Sequence, residues 1–201
     1  MKRLNEEEVK IYQLGILNTV ADFCEKNKIQ YWLDTGTLLG AIRHKGYIPW
    51  DDDIDIGMLR VDFDRFMHTF NQEGGRYKFI CNELDAVCVY PYGKVLDTST
   101  VLYEPDEKGN KGSINIDVFV YDNAPDSASE CKKMYDRRDR YSMLNALQNR
   151  MIGTHGIVKD IVKTVGFSVL QLYPKGYFAQ KVVSNSKRYA GMPTKGVGNF
   201  T

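Results

Sequence analysis

The chain reads as an α/β (α+β) protein, a mixed sheet flanked by helices and followed by a helical C-terminal part. Apolar side chains at three- and four-residue spacing open the chain. Short β-branched and aromatic runs then alternate with helical stretches as far as about residue 121, and beyond Asp126 the spacing is helical. With 201 residues, 43% of them hydrophobic and 12% aromatic, there is enough apolar surface for a real core. The expected division is a core over 1–125 and a helical part over 126–201.

Element by element, Val9, Tyr12, Ile16, Leu17, Val20, Phe23 and Cys24 predict a helix over 5–27, with Asn5 and Glu8 placed as a capping box. Ile29 to Leu33 reads as a strand. From Gly36 to about Lys45 a short helix is expected, its free N–H groups and positive dipole end suited to an anion. Pro49 disfavours helix at Ile48 and makes 46–50 a turn; Asp53 to Met58 alternates as a half-buried strand does. Val61, Phe63, Phe66, Met67 and Phe70 predict a helix over 60–71, broken at Gly74-Gly75. Strands follow over 77–82, 87–95, 101–104 and 114–121. Helices are then expected from Cys131 to Gly153, over the apolar stretch Ile157 to Tyr173, and over 177–189. The segment from Gly191 to Thr201 stops without a helix or cap.

Composition excludes several classes. Twenty-seven basic against 26 acidic residues leave a net charge of +1, which favours no nucleic-acid partner. Cys24, Cys81, Cys88 and Cys131 form no CxxC pair and His44, His68 and His155 stand alone, which argues against a zinc site or a disulfide framework. The N-terminus turns acidic where a signal peptide would turn apolar, and no apolar run approaches the ~18 residues of a membrane span. A cytoplasmic protein is expected, with the helix carrying Lys159 and Lys163 as the one stretch suited to peripheral contact with the inner face of a membrane.

The densest chemistry lies in Asp51-Asp52-Asp53-Ile54-Asp55, preceded by Arg43-His44-Lys45 and by Gly36-Thr37. Carboxylates this close stay ionised together only with cations or ample water around them. Three readings compete. A solvated acidic turn sits poorly with Ile54, Ile56 and Trp50. A calcium loop would place glycine at 56 and a bidentate Glu at 62, where this chain has Ile56 and Asp62. The third is a phosphoryl-transfer site in which Asp53 and Asp55, sharing parity with Asp51 on one strand, and Asp117 on another hold magnesium, or manganese in its place, against a nucleotide's phosphates. Gly36 and Thr37 would let the backbone approach those phosphates; Arg43, His44, Lys45 and Lys94 would supply positive charge. Trp32 and Trp50 fit core packing better than base stacking or a choline cage.

The run from Asp34 to Gly46, followed by Ile48 to Met58, resembles the LicD family of phosphorylcholine transferases and fukutin-type proteins. Ile114 to Tyr121 resembles that family's Ile-Asp-Ile-Phe-Pro strand, with Val120 where proline is common. The resemblance implies a nucleotidyltransferase-like fold, with Gly36-Thr37, Asp53, Asp55 and Asp117 as its signature. It implies a magnesium-dependent transfer of phosphocholine, or a related phospho-alcohol, from CDP-choline or another CDP-alcohol. The acceptor would be a hydroxyl of a cell-surface glycan such as lipopolysaccharide, teichoic acid or capsule, possibly lipid-linked, with CMP released. It also implies a further C-terminal portion not found here. The alternatives are nucleotide transfer onto a small molecule and a non-catalytic nucleotide-binding scaffold.

Overall fold

The structure, a computed structural model, describes residues 3–103, 111–149 and 168–201. Two compact units divide the chain: Met1–Ile80 with Tyr92–Leu102 and Gly112–Asp122, and Cys81–Pro91 with Tyr103–Lys111 and Asn123–Thr201.

In the first unit, helix α1 (Glu6–Asn27) begins with the expected capping box. The Asn5 side chain accepts from the Glu8 N–H at 2.9 Å and the Glu8 carboxylate accepts from the Asn5 N–H at 3.0 Å. Lys28 ends it in the left-handed region. Then come β1 (Trp32–Leu33), α2 (Thr35–Arg43), β2 (Asp55–Leu59), α3 (Arg60–Thr69), β3 (Tyr77–Ile80), β4 (Gly93–Asp97), the short β5 (Leu102–Tyr103) and β6 (Lys111–Gly112), and β7 (Asn115–Ala124). The mixed sheet runs in the order β1-β2-β7-β4-β3. β2 and β7 are parallel, while β1–β2, β4–β7 and β3–β4 are antiparallel.

The parallel pair sits at the centre because its strands bury one face completely: Ile56 and Met58 on β2 and Val118 and Val120 on β7 are each 0% exposed. Against them lie Phe63 and Phe66 from α3 and Phe79 from β3, with Phe66 edge-on to Phe23 of α1 at 5.6 Å. Asp117, Phe119 and Tyr121 alternate with those core residues and so leave on the opposite face.

β1 can lie beside β2 only because residue 57 is glycine, since a Cβ there would come within 2.5 Å of the Trp32 ring. That ring is itself held edge-on to Tyr121 at 5.0 Å. Gly57→Ala is therefore expected to cost about 1–3 kcal/mol in urea unfolding, with a shifted Trp32 emission. A loss under about 0.5 kcal/mol, within the range of an ordinary surface substitution, would show the contact to be soft.

The strand expected over 87–95 is corrected: β4 starts only at Gly93, and residues 81–92 are turns. Val87, Val89 and Tyr90 have strand propensity, but local polar bonds win. The Asn82 amide donates to the carbonyls of Ala86 (3.3 Å), Cys88 (2.7 Å) and Gly176 (3.1 Å), and the Asp85 carboxylate accepts from the Val87 N–H at 3.1 Å. Gly176, at φ +81, has no room for a Cβ, which would meet the Ala86 carbonyl at 2.1 Å.

The second unit holds α4 (Ala128–Asn149), α5 (Tyr177–Ser186) and β8 (Gly196–Asn199). Phe178, Ala179, Val182 and Val183 of α5 are buried, as is Met134 of α4, whose carbonyl accepts from the Asn185 amide at 3.0 Å. The expected helix over 157–173, with its lysines and its membrane contact, lies outside the described residues as far as 167. Among the described residues no helix is long and apolar enough to cross a membrane.

Candidate active site

The site is built where α2 begins against the edge of β2. Asp34, only 8% exposed, caps the helix by accepting from the Thr35 N–H at 2.9 Å, and takes a second bond from the Tyr121 hydroxyl at 2.7 Å. Thr35 stands at φ +42, a left-handed conformation that a β-branched residue adopts only at a cost. There its hydroxyl donates to the Asp55 carboxylate. Two residues on, the Thr37 hydroxyl accepts from the Asp55 N–H at 2.8 Å, and the Asp34 N–H donates to the Asp55 carbonyl at 2.9 Å. The helix start therefore grips Asp55 through both backbone and side chain.

Gly36 lies so close to the acidic loop that a Cβ would sit 2.6 Å from an oxygen of Asp51. The Asp51 carboxylate therefore lies beside the first turn of α2. The loop is anchored by Gln13, whose amide donates to the Asp52 carbonyl at 2.9 Å and whose oxygen accepts from the Tyr47 hydroxyl at 3.0 Å. Ile54 is 2% exposed, but β2 begins only at Asp55, so the strand expected from Asp53 is shorter and its alternation does not extend to Asp51 and Asp53.

Asp55 and Asp117 are direct partners across the parallel β2–β7 pair. Asp117 is tied to Lys94 of β4, Nζ to Oδ1 2.6 Å. Among the described residues, three acids offer oxygens all within 4.8 Å of one another: Asp51, Asp52 and Asp53. Asp55, held by Thr35, and Asp117, held by Lys94, lie outside that trio. Of the expected set, the strand pair brings Asp55 beside Asp117, while Asp53 clusters instead with Asp51 and with Asp52, which parity had set apart.

The electrostatics match this crowding. Loss of hydration pushes Asp53 up to about 6, with Asp55, Asp51 and Asp52 adding repulsion, even though its side chain still reaches solvent. Burial also raises Asp55, which Asp117, Asp34 and Asp51 raise further and the Thr35 hydroxyl lowers. Asp117 is raised by burial and lowered by Lys94 and by the Tyr92 hydroxyl. All these donors are hard carboxylate oxygens, a set that suits magnesium, manganese or calcium and not a thiophilic metal.

A pH dependence follows. Between about pH 4 and about pH 6 the folded chain keeps a proton on Asp53 that the unfolded chain, at its ordinary 3.8, has released. Metal-free stability therefore falls as pH rises through that window and levels off above it. In EDTA, the Tm of Asp53→Asn minus that of wild type should be near zero at about pH 4 and positive above about pH 6; a flat difference would remove the repulsion argument.

The basic residues divide. Arg43 and His44 stand exposed at the far end of α2, with His44 edge-on to Trp50 at 6.4 Å; Trp50 is 83% exposed, not packed in a core as expected. Gly36 lies near the other end of that helix, about 10 Å of axis from Arg43. Lys45 shares a cavity of about 300 Å³ with Gly36, Thr37, Asp51 and Asp53, while its ammonium donates to the Ile42 carbonyl at 3.3 Å. Lys94 meets an acid where a phosphate contact was expected. Sequence reasoning missed Thr35, Asp34, Tyr92 and Asn115 as site residues. The signal for Tyr92 was its shared parity with Lys94; for Thr35 there was none, because its role lies in an uncommon φ.

The family sequence pattern described as "LicD/FKTN/FKRP, nucleotidyltransferase domain" matches residues 28–145. Lipopolysaccharide cholinephosphotransferase LicD of Haemophilus influenzae is 34% identical over 170 residues, 75% of this chain and 63% of that protein. Human ribitol 5-phosphate transferase FKRP is 40% identical over 68 residues, 34% of this chain and 12% of that protein. Mouse ribitol-5-phosphate transferase FKTN is 27% identical over 96 residues, 46% of this chain and 17% of that protein. The chain thus spans under two thirds of the length of each of these relatives. No solved structure gives a significant match. A family match over more than half of the chain, on the segment that carries the acidic loop and Asp117, makes the chain a member of the LicD family.

Proposed function

We propose that the chain is a magnesium-dependent transferase that moves phosphocholine from CDP-choline to a hydroxyl of a cell-surface glycan and releases CMP. The observation that carries this is the row of Asp55 against Asp117 on adjoining parallel strands, next to Asp51, Asp52 and Asp53 at the start of α2. Magnesium held by Asp53, Asp55 and Asp117, with Asp51 beside them, would draw charge from the phosphate oxygens. The acceptor oxygen bonds to the choline-bearing phosphorus as the bond to the bridging oxygen breaks, and that oxygen leaves with CMP. Asp117, its basicity raised by burial, takes the hydroxyl proton.

The relatives include both a cholinephosphotransferase and ribitol 5-phosphate transferases, so the headgroup is a choice between a methylated ammonium and a polyol. The cavity beside Asp51 and Asp53 favours the ammonium. Leu14, Leu17, Leu33 and Ile48 contribute apolar walls that suit methyl groups.

The test presents the purified chain with CDP-choline, CDP-ribitol, CDP-glycerol or CTP, each with magnesium and lipopolysaccharide as acceptor. CMP release from CDP-choline alone is the expected result. Preference for CDP-ribitol would overturn the headgroup, and pyrophosphate release from CTP would make the chain a nucleotidyltransferase. Failure of every donor to be turned over or to raise Tm would favour a scaffold.

A further inference from the structure

Three neighbouring strands place Asp55, Asp117 and Lys94 side by side at one level, through Asp55↔Asp117 across β2–β7 and Lys94↔Asp117 across β4–β7. The Lys94 ammonium is 2.6 Å from Asp117 Oδ1 and 3.0 Å from Asn115 Oδ1, and lies 5.5 Å from the Tyr92 ring centroid. Its side chain is 13% exposed and that of Asp117 19%. The pair is therefore largely withdrawn from water beside Asp55, where one partly buried charge has a large effect on its neighbour.

We propose that Lys94 is a counter-ion that holds the Asp117 carboxylate in the metal-free protein and yields it when a divalent cation enters, so that Lys94 sets the cation concentration at which the site loads. The proposal rests on the metal reading above. One positive charge can neutralise Asp117 but not Asp53 and Asp55 as well; a divalent cation answers two or three carboxylates at once and displaces the weaker partner. A lysine suits this exchange because its point charge sits on a flexible stem, and Asn115 and Tyr92 offer the ammonium a second resting place. Without Lys94, a chain lacking metal would hold Asp117 beside Asp55 with no cation on its β4 side.

The test measures Mn²⁺ binding by calorimetry, and Tm with and without Mn²⁺, on the full chain. Lys94→Gln should bind Mn²⁺ about tenfold more tightly, since one charge-assisted bond no longer competes for the carboxylate. Its Tm should fall in EDTA and recover with Mn²⁺. Lys94→Arg, which keeps the charge and folds most readily, should bind no more tightly than wild type. A purely structural lysine would weaken Mn²⁺ binding when replaced, so equal or weaker binding by Lys94→Gln, or tighter binding by Lys94→Arg, overturns the proposal. Asp55→Asn separates the two failures. If it loses Mn²⁺ while Lys94→Gln gains nothing, only the role of Lys94 falls; if it binds Mn²⁺ like wild type, the metal reading falls and takes Lys94 with it.

Discussion

Under the proposed function, Asp55→Asn should abolish phosphocholine transfer, by on the order of a thousandfold or more, while the protein melts no earlier than wild type. Asparagine keeps the shape of the side chain and its oxygen still accepts from the Thr35 hydroxyl. The bonds from the Asp55 backbone to Thr37 and Asp34 are untouched. What disappears is one negative charge, in a place where burial and the neighbouring acids already oppose it. Relieving that repulsion should raise Tm in EDTA and, under the proposed metal role, remove the rise expected of wild type with magnesium. Turnover above about a tenth of wild type would be incompatible with a metal-holding role for Asp55.

Arg60→Met should cost about 3–5 kcal/mol, the largest loss of stability expected of a single substitution here. The guanidinium holds Asp122 through two bonds, Nε to Oδ1 at 2.7 Å and Nη2 to Oδ2 at 2.8 Å, and reaches Asp64 at 3.3 Å. The Asp122 side chain is 1% exposed and that of Arg60 15%, so methionine would leave a buried carboxylate without its guanidinium. Because domains are stable by only about 5–15 kcal/mol, the variant should be largely unfolded at low urea. Arg60→Met combined with Asp122→Leu should recover most of the loss, since an apolar pair of similar volume avoids desolvating charge. A single-variant cost below about 1 kcal/mol would place the pair with ordinary surface bridges. The pair also serves the site: Arg60 directly follows β2 and Asp122 lies on β7, so it clamps together the two strands that set Asp55 beside Asp117.

Much of this was legible in the sequence because it depends on neighbours along the chain. The helix over 6–27 with its capping box, the short helix after Asp34, the strand that carries Asp55 with Ile56 and Met58 buried, and the alternation of β7 all follow from local spacing. So does the acidic loop, and with it the family. The misread strand over 87–95 shows the limit: β propensity was real there, but Asn82 gathers three carbonyls, one of them 94 residues away, and no local pattern announces such a bond.

By itself, then, the sequence determined which residue types this protein has for its chemistry and on which face of each element they stand, since helical and strand periods are properties of a few adjacent residues. Only the tertiary structure decided which of them meet. Asp117 gained Asp55 on one side and Lys94 on the other because β7 lies between β2 and β4, and strand order is chosen by long-range burial of Ile56, Val118 and Val120. The same packing put Thr35 into an uncommon backbone conformation to reach Asp55. Contacts between distant segments are selected by the free energy of the whole core, which no single stretch of chain encodes.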